Sequence, residues 1–165
     1  MKHFIFLLSL VTISFVPKQD QTALTDEEIQ VLLERHNFWR EDVGINEKLV
    51  WSEDLARLAA DWARELQKKN CGFEHRPEND YGENLFMGTS GFYSPREVVD
   101  AWAIEKTYYN HKKNKCKSGE ICGHYTQIVW RTTKSVGCAK VTCGGNDIWI
   151  CNYDPPGNWE GKKPY

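Results

Sequence analysis

Six cysteines, Cys71, Cys116, Cys122, Cys138, Cys143 and Cys151, constrain this chain more than any other feature. An even set in a short chain cross-links the fold if the protein is exported and stays reduced, or binds metal, if it is not. The N-terminus decides between these outcomes. Lys2 and His3 precede an apolar run from Phe4 to Val16, which Pro17-Lys18-Gln19-Asp20 ends. That run is shorter than the about 20 apolar residues of a spanning helix. It reads as a signal peptide, residues 1–23, with cleavage expected near Ala23. The expectation is therefore an extracellular, secreted protein with three disulfides and no stable membrane insertion. A structural zinc site would need paired Cys-x-x-Cys knuckles, which the spacing does not supply.

What remains, residues 24–165, is long enough for one domain with a real core and too short for two. With 21 basic and 23 acidic residues the formal charge is -2, so no basic footprint for nucleic acid is expected. The Lys112 to Lys117 cluster reads as a solvated loop. Seven Trp, seven Tyr and seven Phe point to a folded interior. No Asn-x-Ser/Thr acceptor for N-glycosylation occurs.

Thr25-Asp26-Glu27-Glu28 is a capping box, followed by Ile29, Leu32, Leu33 and His36 at helical spacing, which predicts a helix to about Arg40. Ser52 caps a second helix with Leu55, Leu58, Ala59, Trp62 and Leu66 on one face, ending near Lys68 and Lys69. Asn70 to Tyr93 is rich in Gly, Asn and Pro and reads as a long functional loop. Ser94-Pro95-Arg96-Glu97 opens a third helix through Val98, Ala101, Trp102 and Glu105 to about Tyr109. A short helix is expected from His124 to Trp130. Two strands, Ser135 to Cys143 and Asn146 to Tyr153, then flank Gly144-Gly145 as a hairpin.

A two-residue Gly144-Gly145 loop pairs Cys138 with Cys151, in a position where side chains approach closely enough to bridge. Cys143 lies an odd number of residues from Cys138 and so faces the other way. It needs a distant partner, for which Cys71 is free, and Cys116 is left to close a local loop with Cys122. This pairing holds if the register does. The same parity puts Ala139, Val141, Ile148 and Ile150 on one face and Val136, Trp149 and Tyr153 on the other. With apolar residues on both faces and three helices to cover them, the expected class is α+β, a three-layer α-β-α sandwich.

Glu105 falls on the buried stripe of the third helix, where a carboxylate is costly without a partner. His75 and Glu83 sit in the long loop and His124 opens the short helix. Spacing alone leaves these four as isolated, individually satisfied side chains. The strings around them are more specific: Tyr81-Gly82-Glu83-Asn84-Leu85, Gly123-His124-Tyr125-Thr126-Gln127-Ile128-Val129-Trp130-Arg131 and Cys151-Asn152-Tyr153-Asp154-Pro155-Pro156-Gly157-Asn158. They resemble the signatures of the CAP superfamily and, within it, its plant pathogenesis-related 1 branch. The resemblance spans the whole domain, including His36-Asn37. It implies an α-β-α sandwich, the three bridges already favoured, and a central cavity lined by a tetrad that falls on His75, Glu83, Glu105 and His124. It also implies that His75 and His124 hold zinc or another divalent cation in some members. The alternative is a metal-free, hydrogen-bonded polar cluster. Arg76, where relatives often carry a small residue, is expected to narrow the cavity mouth.

Three functions follow from the resemblance. The first is a non-enzymatic, monomeric defence protein that binds sterols or other lipids and inhibits microbes. Its lipid would lie in an apolar groove between helices or in the segment from Trp130 to Cys143. The second is a metal-dependent hydrolase or peptidase with zinc on His75 and His124 and Glu83 or Glu105 as base. Against it, the chain has no His-Glu-x-x-His helix, no Gly-x-Ser-x-Gly elbow and no unpaired thiol. The third is a precursor cut between Asp154 and Pro155 to release the signalling peptide 155–165, a Pro/Gly-rich end of the kind proteases reach.

Overall fold

The computed structural model describes residues 22–165, so the expected signal segment lies outside the described residues apart from its last two positions. The elements in chain order are α1 (Asp26–Glu41), β1 (Val50–Trp51), α2 (Glu53–Lys68), β2 (Gly82–Thr89), α3 (Pro95–Ala103), a 3-10 turn (Ile104–Tyr108), β3 (Tyr109–Asn110), β4 (Lys115–Cys116), α4 (Gly123–Ile128), β5 (Ser135–Cys143) and β6 (Asn146–Asp154).

The helices start where the capping chemistry places them. Thr25 and Glu28 form a reciprocal box at α1, and Ser94 and Glu97 form another at α3, where Pro95 occupies the first turn. Ser52 accepts from the Leu55 amide at α2. Each contact satisfies an amide that a helix start leaves without an intrahelical acceptor. The third helix is shorter than its periodicity predicts: α geometry ends at Ala103 and a 3-10 turn continues to Tyr108. Ala101, expected on the buried stripe, is exposed, and Val98, Val99, Trp102 and Ala103 are buried instead.

The main sheet has the order β1-β5-β6-β2. β5 and β6 pair antiparallel with Cys143 opposite Asn146 and Cys138 opposite Cys151, the register that the Gly144-Gly145 turn predicts. The bridges are Cys71–Cys143, Cys116–Cys122 and Cys138–Cys151. Ala139, Val141, Ile148 and Ile150 pack with Leu85 under the α2 residues Ala59, Ala63 and Leu66. Val136, Trp149 and Tyr153 face the opposite way, against Leu32 of α1, Val98 and Trp102 of α3 and Tyr125 of α4. The α-β-α sandwich follows directly from a hairpin that is apolar on both faces.

The segment Asn70 to Tyr93, read as loop, contains the eight-residue strand β2, which pairs antiparallel along its whole length with β6. Gly82, Asn84 and Gly88 depress its intrinsic strand preference, and the backbone ladder offered by β6 overrides them. Gly82 is needed here: a Cβ would stand 2.2 Å from Gln127 Oε1. Gly137 is the more stringent position, because a Cβ there would meet backbone atoms at the start of α2, Ala56 N at 2.3 Å and the cap residue's Ser52 O at 2.4 Å.

Candidate functional site

The four tetrad residues form two carboxylate–imidazole pairs at one end of the sheet. β2 carries Glu83, whose side chain is almost fully buried. Its Oε1 accepts from His75 Nδ1 at 2.7 Å and from the Arg76 amide at 3.0 Å. The His75 ring itself is largely exposed. The hydrogen bond to Glu83 raises its pKa above the ordinary histidine value against the opposing effect of burial, because a carboxylate favours the protonated ring.

Glu105, in the 3-10 turn after α3, faces the start of α4. Its Oε1 accepts from His124 Nδ1 at 2.6 Å, and its Oε2 accepts the amides of His124 at 3.0 Å and Tyr125 at 3.1 Å. The carboxylate that would be costly on an apolar stripe thus caps the N-terminus of a short helix and orients a histidine at once. Both carboxylates bind Nδ1, so in its neutral form each ring presents Nε2 as an unprotonated acceptor.

The pairs are joined through the core. Asn84, the residue after Glu83, donates from Nδ2 to the His124 carbonyl at 3.1 Å and to the Tyr153 hydroxyl at 3.2 Å. Tyr153 bonds His36 Nε2 at 2.9 Å, while His36 Nδ1 donates to the Leu32 carbonyl at 2.7 Å. Burial pulls the His36 pKa down to about 4, so this ring is neutral at physiological pH. Trp102 stacks near His124, with ring planes at 20°, and its indole N–H donates to the Leu85 carbonyl. Arg76 does not extend over the site as expected. Its guanidinium turns back to donate to the Leu58 carbonyl on α2 at 3.1 Å.

Two functional positions escape a sequence reading. Arg40 is fully buried on α1 and fans its guanidinium onto the carbonyls of Glu47, Ile128, Trp130, Arg131 and Thr133. It thereby fixes the end of α4 and the turn into β5. The signal for it was present: Leu32, His36 and Arg40 recur every four residues, one helical stripe. Asn152 lies opposite Glu83 in the β2–β6 register. Glu83 Oε2 and Asn152 Nδ2 are both buried without a hydrogen-bond partner among the described residues. One is an acceptor and the other a donor, so the pair is suited to a bridging hydroxyl.

A cavity of about 580 Å³ lies apart from the tetrad, along the outer side of α1. Ile29, Leu33, Phe38 and Trp51 give it apolar surface, and Asp26, Glu34, Glu41, Glu53 and the single cation Lys48 stand among them. The segment from Trp130 to Cys143 forms no comparable loop: from Ser135 it is the central strand β5. The C-terminal residues do not lie free. Pro164 O accepts from the Arg131 amide at 2.7 Å, Tyr165 stacks on His111, and the Tyr165 and Tyr125 hydroxyls are 3.0 Å apart.

A doubly covered sheet, three disulfides and two carboxylate–imidazole pairs define a class of cross-linked α-β-α domain. The model of the cysteine-rich secretory protein (CAP) family matches residues 33–153, and the chain belongs to that family. It is 44% identical over 137 residues to pathogenesis-related protein 1A of Nicotiana tabacum, covering 82% of this chain and 80% of the relative. It is 39% identical over 160 residues to pathogenesis-related protein PR-1 of Medicago truncatula, covering 96% and 90%. Among solved structures, the venom allergen-like protein 4 of Schistosoma mansoni matches with a TM-score of 0.69 at 28% identity, covering 86% of this chain and 95% of that one. The plant relatives support a role of the pathogenesis-related 1 kind, in defence.

Proposed function

We propose that this is a secreted, non-enzymatic defence protein that sequesters a sterol from microbes, with the α1 groove as its binding site. The observation that carries the reading is the groove's chemistry. Its volume lies in the range of small-molecule sites; Phe38 is 49% exposed at its wall, Ile29 is half-buried, and Leu33 and Trp51, which also pack against the core, form its apolar floor. Four carboxylates stand around Ile29, Leu33, Phe38 and Trp51 against one lysine, Lys48, which Glu41 already pairs at 3.3 Å; the remaining negative charge repels a fatty-acid headgroup and accepts a hydrogen bond from a neutral hydroxyl. The groove therefore favours a sterol over a fatty acid. A labelled sterol should bind saturably to the pure protein. Leu33→Glu should weaken it by about tenfold, the loss expected for one buried side-chain contact. Tighter binding of a fatty acid than of the sterol would sink the proposal.

A second reading rests on the two imidazoles. His75 and His124 would hold a zinc ion through Nε2, a donor set that fits a divalent cation. Among the described residues no group of three His, Cys, Asp or Glu is placed to hold a metal, so water would complete the coordination. Zinc bound there would supply an activated water. Glu105 has both oxygens engaged with donors, whereas Glu83 Oε2, though buried, has no hydrogen-bond partner among the described residues and would be the base. Zinc titration of the protein and of His124→Ala measures the site directly. Peptidase activity lost in Glu83→Gln, with folding intact, would move the assignment to an enzyme.

A further inference from the structure

The lysine cluster that reads as a solvated loop in sequence becomes part of a larger surface in three dimensions. The Asn114 side chain in the β3–β4 turn donates from Nδ2 to the Lys162 carbonyl at 3.0 Å, and the Arg131 backbone amide donates to the Pro164 carbonyl. These bonds zip the turn, the C-terminal segment and the loop after α4 into one face. Lys112, Lys113, Lys115, Arg131, Lys162 and Lys163 are all exposed there. Among the described residues none of the six has a carboxylate partner, whereas neighbouring Lys117 pairs with Glu120; Glu160, exposed beside Trp159, sets one negative charge against these six cations. In a chain of formal charge -2 this is a marked local asymmetry, and it attracts anions.

The same face carries exposed apolar groups. Trp159 is 56% exposed, and Ile121, 65% exposed, immediately precedes Cys122, which lines a cleft beside Trp159. Two clefts, of about 320 and 420 Å³, flank Trp159, and Lys162 lines both. The Trp159 indole N–H already donates to the Pro156 carbonyl at 3.0 Å. The ring can therefore enter an apolar phase without stranding a donor.

We propose that this face docks peripherally on an anionic lipid bilayer, with Trp159 and Ile121 at the headgroup boundary and phosphate groups against the surrounding cations. Cations alone would suit any polyanion. Exposed aliphatic and indole surface among them is the pattern of an interfacial membrane contact. Docking of this kind is reversible and needs no spanning segment; among the described residues no helix is long and apolar enough to cross a membrane. The inference is independent of the sterol groove, because its test uses sterol-free vesicles.

The folded, disulfide-intact protein should cosediment with phosphatidylcholine vesicles that contain phosphatidylserine and not with phosphatidylcholine alone. Salt should release it, and each lysine removed should weaken binding about fivefold. Lys162→Glu with Lys163→Glu, and separately Lys112→Glu with Lys113→Glu, should therefore lower affinity tenfold or more with unchanged circular dichroism. Trp159→Ala should also release the protein from the vesicles. Binding that ignores phosphatidylserine, or that survives both charge reversals, overturns the proposal. So does full vesicle binding by Trp159→Ala together with tight binding to a soluble polyanionic polysaccharide, which would make this a glycan surface.

Discussion

At the scale of single residues, the buried polar groups of α1 carry the clearest consequences. His36 has a folded pKa of about 4, against 6.5 for a free ring. The unfolded chain therefore takes up its proton first as pH falls. The stabilisation is complete above pH 6.5 and is lost as pH drops towards 4, about 3 kcal/mol in all. His75 acts in the opposite sense: its raised pKa gives stability that is present below its ordinary value and lost as pH rises through the folded value. Urea unfolding of the wild type and of His36→Gln at pH 7 and pH 4.5 separates the two, and the variant should lose the acid sensitivity. Arg40 is a buried cation held by carbonyls alone. Arg40→Met should cost about 3–5 kcal/mol, because several carbonyls lose their donor inside the core. Arg40→Lys should recover little, since an ammonium group cannot span the same fan of acceptors. A Met variant that melts like the wild type would contradict this.

Among the elements, strand β5 is the one that everything else must fit. It crosses the start of α2 so closely that Gly137 has no room for a methyl group against backbone atoms. Backbone cannot rotate away as a side chain can, so Gly137→Ala should destabilise by about 3 kcal/mol, the upper part of the range for overpacking. Thermal melts check this, with Gly72, where a Cβ would meet nothing closer than Lys69 O at 3.6 Å, as the comparison. β2 shows the reverse case. Its Gly and Asn residues hide it as a strand, yet those residues serve the site: Gly82 admits Gln127, and Asn84 ties His124 to Tyr153. The α3 extension likewise gives up α geometry at Ile104, and Glu105 reaches the start of α4 from the 3-10 turn.

For the whole molecule, the disulfides differ in what they constrain. Cys71–Cys143 spans 72 residues and Cys116–Cys122 only 6. Loop entropy makes the first worth about 4 kcal/mol and the second about 2. Replacing each pair by serine and measuring chemical denaturation should reproduce that order. The long bridge also ties the segment before His75 to the end of β5, so its loss should loosen one half of the tetrad. The C-terminal segment is a second global restraint. The Asp154 carbonyl accepts from the Lys134 amide at 2.8 Å and Pro155 accepts from Thr133. A protease that cuts between Asp154 and Pro155 must first undock this segment. Tyr165→Ala removes its terminal stacking on His111 and should speed release of the peptide 155–165, as followed by mass spectrometry.

The sequence by itself determined the layers. A Gly-Gly turn with apolar residues on both strand faces settles register, disulfide partner and the need for helices above and below, because side-chain parity and turn length are local quantities. Capping boxes placed the helix starts for the same reason. The family strings located Glu83 and His124 and the wider family resemblance added His75 and Glu105, but which atoms of them meet was a tertiary outcome. The pairing of each Nδ1 with its own carboxylate, the return of Arg76 to α2 and the carbonyls that Arg40 reaches after α4 depend on contacts between residues far apart in the chain. So does the cationic face around Trp159, which is assembled from three segments. No local pattern encodes such contacts; they exist only once β2 has found β6 and the C-terminal segment has docked beside the β3–β4 turn.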